Sequence, residues 1–419
     1  MDRITGLPDD VLVKILSFVP TKVAVSSSIL SKRWEFLWMW LPRLEFISRK
    51  PELRDFIDRK LPLHRAPVIE RLRLDLYSPA IKPEDIRRWI EIAVSRHVRE
   101  LNLQIDYYSE NENIFPSSLF TCKSLVTLKL RRVTLVDIPS MVCLPSLKTL
   151  KLKSVKFVDE EMLQELLSIC PVLEDLSVRC DDDENVKEFT INVPSLLSLS
   201  LVIPDDWLLD GYEIDTPSLS YLKLEDWNDL DHNSLIKNMP KLREAYVDVR
   251  YPNLESVLES ITSVKHLTIC SEVVYDDGLV FKELEHLNLC VCREDSSNLF
   301  GQLLKDSPNL RILDISVVKD HATDELNGTV SWNQPNFVPE CLLSSLQTLK
   351  WSRYFGRPQD RDLAVYILKN ARHLKTATIL ADTEEHYVPN LQMIKELALS
   401  PRASSTCQLV FVEDLYSSV

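Results

Sequence analysis

The sequence predicts an α/β protein in which a small module of three short helices precedes a solenoid of stacked strand-and-connector units. Two observations predict this fold. Apolar residues recur at helical spacing within the first 46 residues, and from residue 68 onward a seven-residue phrase recurs 13 times. The phrase is apolar at its second, fifth and seventh places, and its last two apolar places alternate with polar ones, as in a half-buried strand.

The N-terminal module begins with a predicted helix. Asp9 and Asp10, placed directly after Pro8, suit the first turn of a helix. Five apolar residues then follow at helical spacing, namely Val11, Leu12, Ile15, Leu16 and Val19. Pro20 ends this helix, and the chain up to Leu41 has room for two more, one from Thr21 and one capped by Ser31. So short a segment cannot bury most of its apolar surface alone, so another chain or the rest of this one must complete it.

Two motifs stand at the ends of this module. Residues 7–12 read Leu-Pro-Asp-Asp-Val-Leu, and residues 30–34 read Leu-Ser-Lys-Arg-Trp, with a further tryptophan at Trp38. Together they resemble the start and end of the F-box. The resemblance implies that the module binds the Skp-type adaptor of a cullin-RING ubiquitin ligase. Carried over position by position, it implies eight adaptor-facing residues: Leu7, Pro8, Leu12, Ile15, Leu16, Val25, Leu30 and Trp34.

The repeat region follows a short predicted helix that contains Leu53, Phe56, Ile57 and Leu61. From Leu128 to Leu267 six intervals cover 139 residues, about 23 per repeat, which lies within the range of leucine-rich repeats. Four connectors have a helical pattern: 83–96, 159–170, 254–261 and 360–371. The usual asparagine after the strand is mostly missing and only six glycines occur, so we expect an irregular solenoid with a strand-lined concave face.

The last quarter of the chain resembles the FBD domain, which accompanies F-boxes and leucine-rich repeats in a large plant family. The resemblance rests on ordered motifs: Cys341-Leu342, Tyr354-Phe355-Gly356, the helix segment 364–371, and Pro401-Arg402-Ala403-Ser404-Ser405. In physical terms we interpret this segment as the C-terminal cap that an open solenoid requires, with a last helix at 393–399 and a closing strand at 408–412. The predicted division is an F-box at 1–48, a helical linker at 49–64, leucine-rich repeats at 65–335, the FBD domain at 336–412 and a tail at 413–419.

Composition predicts a soluble protein of the nucleus or the cytoplasm. No apolar run approaches the ~18 residues of a membrane span, and the first residues lead straight into the F-box, which leaves no room for a secretory signal. The nine cysteines are scattered, without paired C-x-x-C sets, and suit free thiols in a reducing compartment. A net charge of -14 disfavours nucleic acid as a partner.

Motifs for catalysis are missing from the sequence. The eight histidines are dispersed, and neither a glycine-rich phosphate loop nor H-E-x-x-H occurs. The acidic run 181–184 lacks the spacing of a calcium loop, so we interpret it as a solvated loop. We therefore expect no enzyme activity, no cofactor and no metal in this chain.

The phrase also predicts which side chains face outward, because successive side chains of a strand alternate between its faces. In the first repeats the outward set is rich in cations, and we expect these to contact an acidic or phosphorylated substrate segment, with two tyrosines as apolar anchors. The residues are Arg71, Arg73, Lys129, Arg131, Lys151, Lys153, Tyr221 and Tyr246. A merely solvated strand face is the alternative interpretation.

Taken together, the sequence predicts a substrate-recognition subunit of an SCF-type (Skp-cullin-F-box) ubiquitin ligase. It would dock through the F-box and present a protein substrate from the concave face, while partners supply the chemistry. The alternative is a leucine-rich-repeat interaction or inhibitor protein whose N-terminal helices only cap the solenoid. The identity of the substrate is left open.

Overall fold

The computed structural model describes most of the chain. The described residues are 6–106, 114–139, 141–159, 161–180, 186–205, 207, 209–228, 232–237, 239–250, 254–271, 273, 275–276, 278–290, 296–316, 337–382 and 390–414. Two compact units divide the chain: one contains residues 1–200 and 207–216, and the other residues 201–206 and 217–419. None of the helices in the described residues is both long and apolar enough to cross a membrane.

The described residues contain α-helices, short 3₁₀-helices and strands. The α-helices are α1 Asp9–Leu16, α2 Thr21–Ser26, α3 Glu52–Lys60, α4 Pro83–Ser95, α5 Met162–Ser168, α6 Leu254–Ser260, α7 Ser296–Asp306, α8 Glu340–Ser344, α9 Pro358–Asn370 and α10 Asn390–Ala398. The 3₁₀-helices are Ser27–Ile29, Trp34–Trp40, Leu61–Leu63 and Leu119–Thr121. The strands are β1 Arg43–Ser48, β2 Arg71–Leu76, β3 Glu100–Ile105, β4 Thr127–Arg131, β5 Thr134–Leu135, β6 Thr149–Lys153, β7 Lys156–Phe157, β8 Asp175–Arg179, β9 Glu188–Asn192, β10 Ser198–Ile203, β11 Gly211–Asp215, β12 Tyr221–Asp226, β13 Asn233–Ile236, β14 Glu244–Val249, β15 His266–Cys270, β16 His286–Cys290, β17 Ile312–Ser316, β18 Thr348–Tyr354, β19 Thr376–Asp382 and β20 Gln408–Asp414.

Each unit contains an open sheet of parallel strands. In the first unit the strands pair in the order β1-β2-β3-β4-β6-β8. In the second unit the order is β12-β14-β15-β16-β17-β18-β19-β20. Successive repeats therefore lie side by side, as in a leucine-rich-repeat solenoid. All 13 phrases of the sequence form strands of this kind, which confirms the α/β repeat prediction.

The leucines of the phrase form the core. Leu72, Leu101, Leu128, Leu150 and Leu176 are paired in register on successive strands of the first unit. All five are 0 or 1 % exposed. Burying one such side chain stabilises the fold by about 1.5–3 kcal/mol. Each strand thus adds its buried leucines to the apolar core of the sheet, and the side chains between those leucines point to the other face.

The predicted helices are present with small shifts. The patterns at 83–96, 159–170, 254–261 and 360–371 correspond to α4, α5, α6 and α9, and the predicted last helix corresponds to α10. The helix predicted before the first repeat is α3. The closing strand predicted at 408–412 is β20, which extends to Asp414. Helices α7 and α8 were not predicted.

The N-terminal module differs from the sequence prediction in two places. Its third helix, from Trp34 to Trp40, is a 3₁₀-helix and buries Leu37, Trp38 and Met39 in succession. Three consecutive buried positions do not suit a one-sided α-helix, and 3₁₀ geometry is common in such short pieces. The module also ends in a strand, β1, which pairs in register with β2. The alternation of Leu44, Glu45 and Phe46 was the available signal for it.

Candidate functional site

Arg33 brings the two ends of the F-box-like segment together. Its Nε donates to the Asp9 carboxylate at 2.8 Å, and its guanidinium also forms an ion pair with Asp9 at 2.7 Å and donates to the Leu7 carbonyl. Asp9 and Asp10 lie in the first turn of α1, where negative charge is favoured. The start motif and the end motif are therefore parts of one surface.

The structure divides the eight residues that the resemblance assigns to the adaptor. Leu12, Leu16 and Val25 are buried within the chain, at 9 % exposure or less. Their positions on α1 and α2 place them inside the module, so their side chains contribute to its core and not to its free surface. Ile15 and Leu30 are 43 % and 67 % exposed. Of the others, Pro8 is exposed, and Leu7 and Trp34 are partly so. That these eight contact an adaptor stays a prediction.

A further set of apolar side chains in the module faces solvent and was not predicted as a site. Its members are Val11, Phe18, Val19, Val23, Ile29, Phe36 and Trp40. Phe18 is 82 % and Ile29 is 89 % exposed. Among the described residues, 24 large hydrophobic side chains are exposed, and ten of them lie in this one module once Ile15, Leu30 and Ile47 are included. Such a concentration marks an interaction surface and not the scattered exposure of an ordinary surface.

The signal for this surface lies in the first helix. α1 is apolar on two sides, because Leu12 and Leu16 point inward while Val11 and Ile15 point outward. A helix that only covers a core needs one apolar stripe. Packing within this chain therefore does not explain the outward apolar stripe that contains Val11 and Ile15.

The module is attached to the repeat region by hydrogen bonds. The Glu45 N–H in β1 donates to Thr21 Oγ1 at 2.8 Å. His64 Nε2 bonds the Leu41 carbonyl at 2.8 Å, and the N–H groups of Arg65 and Ala66 donate to the carbonyl of Met39. Burial lowers the pKa of His64, so its ring is neutral and Nε2 is the donor. The bond from Glu45 holds the helices of the module against its own strand β1, and the bonds of residues 64–66 hold the module against the chain that leads into the first repeat.

The linker helix α3 packs on α4 through charged groups. Arg54 in α3 binds the Asp85 carboxylate with two hydrogen bonds, at 2.6 and 3.1 Å. Asp58 accepts from the Trp89 indole at 2.8 Å and from Arg88 at 2.6 Å. Burial raises the pKa of Asp85, but the hydrogen bond and charge of Arg54, the Lys82 N–H and the charge of Arg88 together lower it. The carboxylate therefore stays ionised within this contact.

Most cations predicted on the strand face of the first unit are paired with carboxylates. Glu100 binds both Arg71, at 3.1 Å, and Lys129, at 2.8 Å. Arg73 binds Asp75 at 2.7 Å, and Lys151 lies 3.7 Å from Asp175. These pairs leave much less unneutralised positive charge than the sequence suggested.

Arg131 and Lys153, the other two predicted cations, lie at the carboxyl ends of β4 and β6, and neither lacks an interaction partner. Arg131 donates to the neutral amide oxygen of Gln104 at 3.3 Å. Lys153 is paired in register with Arg131, and Arg179, which was not predicted as a site residue, is paired in register with Lys153. The structure therefore brings three cations together at this edge.

The two tyrosines predicted as anchors lie in the second unit. Lys223 Nζ lies 5.2 Å above the ring of Tyr246 and 2.8 Å from the Glu225 carboxylate. Burial raises the pKa of Tyr246 and of Tyr221, so both are neutral phenols. Both are half-buried, and each presents only part of its ring to solvent.

Three acidic residues that alternation along the phrase places outward are buried: Glu225, at 8 % exposure, and also Asp75 and Asp248. Asp75 is 2 % exposed, and the guanidinium of Arg73 covers it. Asp248 is fully buried and accepts from the Trp227 indole at 2.6 Å. Asp75 and Asp248 each follow the last apolar place of their phrase. Arg73, on the same strand, covers Asp75, and Trp227, in the segment before β14, covers Asp248. The acidic run 181–184 lies outside the described residues.

Most cysteine thiols in the described residues are buried, and burial makes them poor nucleophiles. Of the eight cysteines in the described residues, seven are buried and Cys143 is exposed. Burial raises the pKa of the Cys170 thiol and of the Cys341 thiol to about 12. A protonated buried thiol is a poor nucleophile. Within the described ranges, histidine, cysteine and carboxylate side chains form no group of three that could hold a metal ion.

The C-terminal motifs that resemble the FBD domain have structural roles. Tyr354 is buried edge-on against Trp351, with ring centroids 5.2 Å apart, beside a bulge in β18. Arg357 stacks on Phe355 at 4.6 Å, and Gly356 between them has a positive φ of 71°. Tyr-Phe-Gly is thus the sharp exit from β18 into α9.

An F-box-like helical module, parallel leucine-rich strands and this C-terminal segment together define a protein of the F-box and leucine-rich-repeat class. Family models match each part: the F-box domain at residues 4–46, the LRR repeats of "FBD-associated F-box protein At5g56370" at 86–255, and FBD at 334–379. None of these three models describes a catalytic domain.

Curated relatives from Arabidopsis thaliana match almost the whole chain. "FBD-associated F-box protein At5g38590" is 73 % identical over 95 % of this chain and 98 % of its own length. "Putative FBD-associated F-box protein At5g38570" is 60 % identical over 99 % of this chain and 100 % of its own length. "FBD-associated F-box protein At4g10400" is 57 % identical over 98 % and 100 %. The chain belongs to the plant family of FBD-associated F-box proteins with leucine-rich repeats.

Proposed function

We propose that this chain is a substrate-recognition subunit of an SCF-type ubiquitin ligase. The F-box docks on a Skp-type adaptor, and the strand face of the repeats presents a protein substrate for ubiquitination in the nucleus or the cytoplasm. The chain performs no chemical step. Ubiquitin transfer gains from the proximity of substrate and conjugating enzyme.

The outward apolar stripe of the F-box is the observation that supports this proposal. Ile15, in the last turn of α1, is 43 % exposed, and Phe18, two residues beyond the end of α1, is 82 % exposed. Arg33 holds the second motif, and with it Leu30, against the start of the same helix. An apolar surface rimmed by charged residues is typical of a protein interface. Both F-box motifs contribute to it.

Co-expression with a Skp-type adaptor tests the proposal. Ile15→Asp with Phe18→Asp places two charges in the apolar surface without touching the buried Leu12 and Leu16. Loss of such an interface anchor typically costs ~2 kcal/mol or more, about thirty-fold in affinity. We expect the adaptor to retain the wild-type chain and to lose the double variant.

Leu399→Asp is the matched control, because Leu399 in the second unit is 76 % exposed and outside the F-box. It should be retained like the wild type. If the adaptor does not retain the wild type, or retains the double variant equally well, the ligase proposal is wrong. The chain is then a leucine-rich-repeat interaction or inhibitor protein whose helices cap the repeats.

A further inference from the structure

The last strand of the second unit has an open edge. β20 pairs with β19 on one side, and within the described residues no strand pairs with it on the other side. The Gln408 N–H donates to the Lys375 carbonyl at 2.9 Å and so starts the ladder between the two strands. Because alternate residues of a strand bond to each of its neighbours, the backbone N–H and C=O groups of Leu409, Phe411 and Glu413 point to the open edge.

The apolar core is also incompletely covered at this strand. Leu409 and Phe411 are in register with Ala377 and Ile379 of β19, which are 0 and 1 % exposed. Leu409 and Phe411 themselves are only half-buried. The end of an open solenoid usually has a cap with a polar outer face. β20 instead continues the apolar layer to the end of the sheet and leaves that layer partly uncovered.

The helix before β20 is apolar on the corresponding side. Glu396 of α10 lies 3.7 Å from Arg361 of α9, and Met393 and Leu397 are buried. Residues two apart on a helix point to nearly opposite sides, so Ile394 faces away from α9. Ile394 is 37 % exposed. The strand edge and the helix thus leave apolar surface open at the same end of the second unit.

β20 lacks the features that usually protect an edge strand. Natural edge strands are short, or contain lysine, proline or a bulge, or are covered by another element. The β1 edge is covered in this way, because the Thr21 hydroxyl of α2 accepts the Glu45 N–H. β20 has seven residues in unbroken register with β19 and contains neither lysine nor proline. On its outer face Val410 and Val412 are 39 and 43 % exposed.

We propose that β20 pairs antiparallel with β20 of a second copy of this chain, with Phe411 on the two-fold axis. Phe411 is the middle residue of β20, so this register overlaps the whole strand. It places Phe411 opposite Phe411 and Leu409 opposite Glu413, which gives about six hydrogen bonds between outward backbone groups. Val410 then lies opposite Val412 of the second copy, as an apolar cross-strand pair.

The symmetry of the edge is the reason for choosing a second copy as the partner. Apolar residues lie on both sides of Phe411, so the strand is complementary to itself when it is turned around. A two-fold contact of this kind closes after two copies and does not grow into a fibre. Each open end covers the other, and the assembly contains two F-box modules.

Sedimentation equilibrium of the full-length chain tests the inference. We expect the wild type to be a dimer at micromolar concentration. V410K/V412K places lysines directly opposite one another across the contact, at positions that are exposed in the single chain. Because like charges directly opposite destabilise a strand pair, the dissociation constant of the dimer should rise at least tenfold.

The matched control is V172K/V280K, which adds the same charge at positions that are 37 and 43 % exposed. It should dimerise like the wild type. Circular dichroism reports whether each variant is folded. A monomeric wild type would overturn the inference and would show that another segment or a different partner covers the edge. An equal effect of the two double variants, or no effect of V410K/V412K, would overturn it as well.

Disulfide cross-linking tests the register without adding charge. Opposite residues of a non-hydrogen-bonded antiparallel pair have Cα atoms ~4.5 Å apart, a distance that a disulfide spans. In a C143S/C292S background, a mixture of V410C and V412C chains should form a linked dimer with oxidised glutathione. V410C alone should link much less, because the two copies of this position are only diagonal neighbours. Equal linking of V410C alone and of the mixture would contradict the proposed register.

Discussion

Arg33 shows at the scale of single residues why two distant motifs belong to one site. It lies 24 positions after Asp9 and forms hydrogen bonds to both the Asp9 carboxylate and the Leu7 carbonyl. The motifs were recognisable in sequence because both contain unusual residue runs. The contact between the two motifs could not be predicted from the sequence, because neither motif indicates which distant residue it binds.

The cations of the strand face show the opposite case. Sequence alternation correctly places Arg71, Arg73, Lys129 and Lys151 beside the buried leucines, half-buried or exposed. Their positive charge is nevertheless largely neutralised, because the carboxylates of Glu100, Asp75 and Asp175 lie on the same or neighbouring strands. Register decides which carboxylate lies beside each cation, and register is a property of two strands together.

Asp360 gives a prediction for the pH dependence of stability. It is the third residue of α9, and its carboxylate accepts from the Arg357 N–H at 3.1 Å. Burial raises the pKa of Asp360 to about 6, against the lowering effects of the Arg357 charge and of backbone hydrogen bonds. Because the folded pKa is raised, this side chain favours folding below its unfolded pKa, and that contribution is lost as the pH rises through about 6.

Asp360→Asn should remove this dependence while its amide oxygen still accepts from Arg357. Relative to the variant, the wild type should gain about 1–2 kcal/mol of unfolding free energy between pH 7 and pH 4.5, for a side chain that keeps part of its surface in solvent. Urea unfolding at the two pH values measures it. A pH-independent difference between Asp360→Asn and the wild type would contradict the assignment.

At the scale of elements, a polar side chain at the first place of several phrases connects one repeat to the preceding repeat by a hydrogen bond. Ser124 Oγ donates to the Val98 carbonyl at 2.9 Å, and Ser195 Oγ to the Leu173 carbonyl at 2.7 Å. In the second unit Ser345 Oγ donates to the Leu310 carbonyl at 2.8 Å, and Asn309 Nδ2 to the Lys282 carbonyl at 2.9 Å. These four bonds satisfy backbone carbonyls that lie two to four residues before β3, β8, β17 and β16. The asparagine that usually follows the strand of a leucine-rich repeat is scarce in this chain. These side chains at the first place of the phrase supply part of the hydrogen bonding between repeats instead.

The junction of α2 and β1 supplies a prediction for an element boundary. Thr21 is 2 % exposed, and its hydroxyl accepts the Glu45 N–H. Thr21→Val keeps the shape but leaves that N–H without its partner, which should cost about 1–2 kcal/mol of unfolding free energy. Urea unfolding of the full chain measures the loss. We also expect weaker retention on the adaptor, because the F-box helices lose an attachment to the sheet.

Thr149→Val is the control for this prediction, since Thr149 is a partly exposed residue of β6 in the same sheet. Its effect should stay within about 0.5 kcal/mol. Similar losses for the two variants would show that the bond from Glu45 does not stabilise the junction.

At the scale of the whole molecule, buried apolar residues are paired in register from strand to strand within each unit, and the buried cysteines can be used to test how stable this packing is. Cys122, Cys170, Cys270, Cys290 and Cys341 are each at most 5 % exposed. Buried side chains in such a core are inaccessible to reagents until the repeats separate. Thiol reactivity is therefore a measure of how intact the stacked repeats are.

Thiol labelling of the native chain should find one rapidly reacting cysteine in the described regions, Cys143. A Cys292→Ser background removes the one cysteine outside those regions. In that background we expect one equivalent to react quickly with an aromatic disulfide reagent, and none after Cys143→Ser. The remaining thiols should react only in denaturant, and fast labelling of two or more would show that the repeat core opens readily.

The sequence by itself determined the order of the modules, the 13 strands and their inward leucines, because periodicity is a local property that one stretch of chain carries alone. It also carried the F-box and FBD motifs. Only the tertiary structure decided that Leu12, Leu16 and Val25 are core residues, that Phe18 and Ile29 are surface residues, and that Arg131, Lys153 and Arg179 form a row. Each of those facts depends on which residues of other segments lie alongside, and long-range pairing and burial are set by the packed chain as a whole.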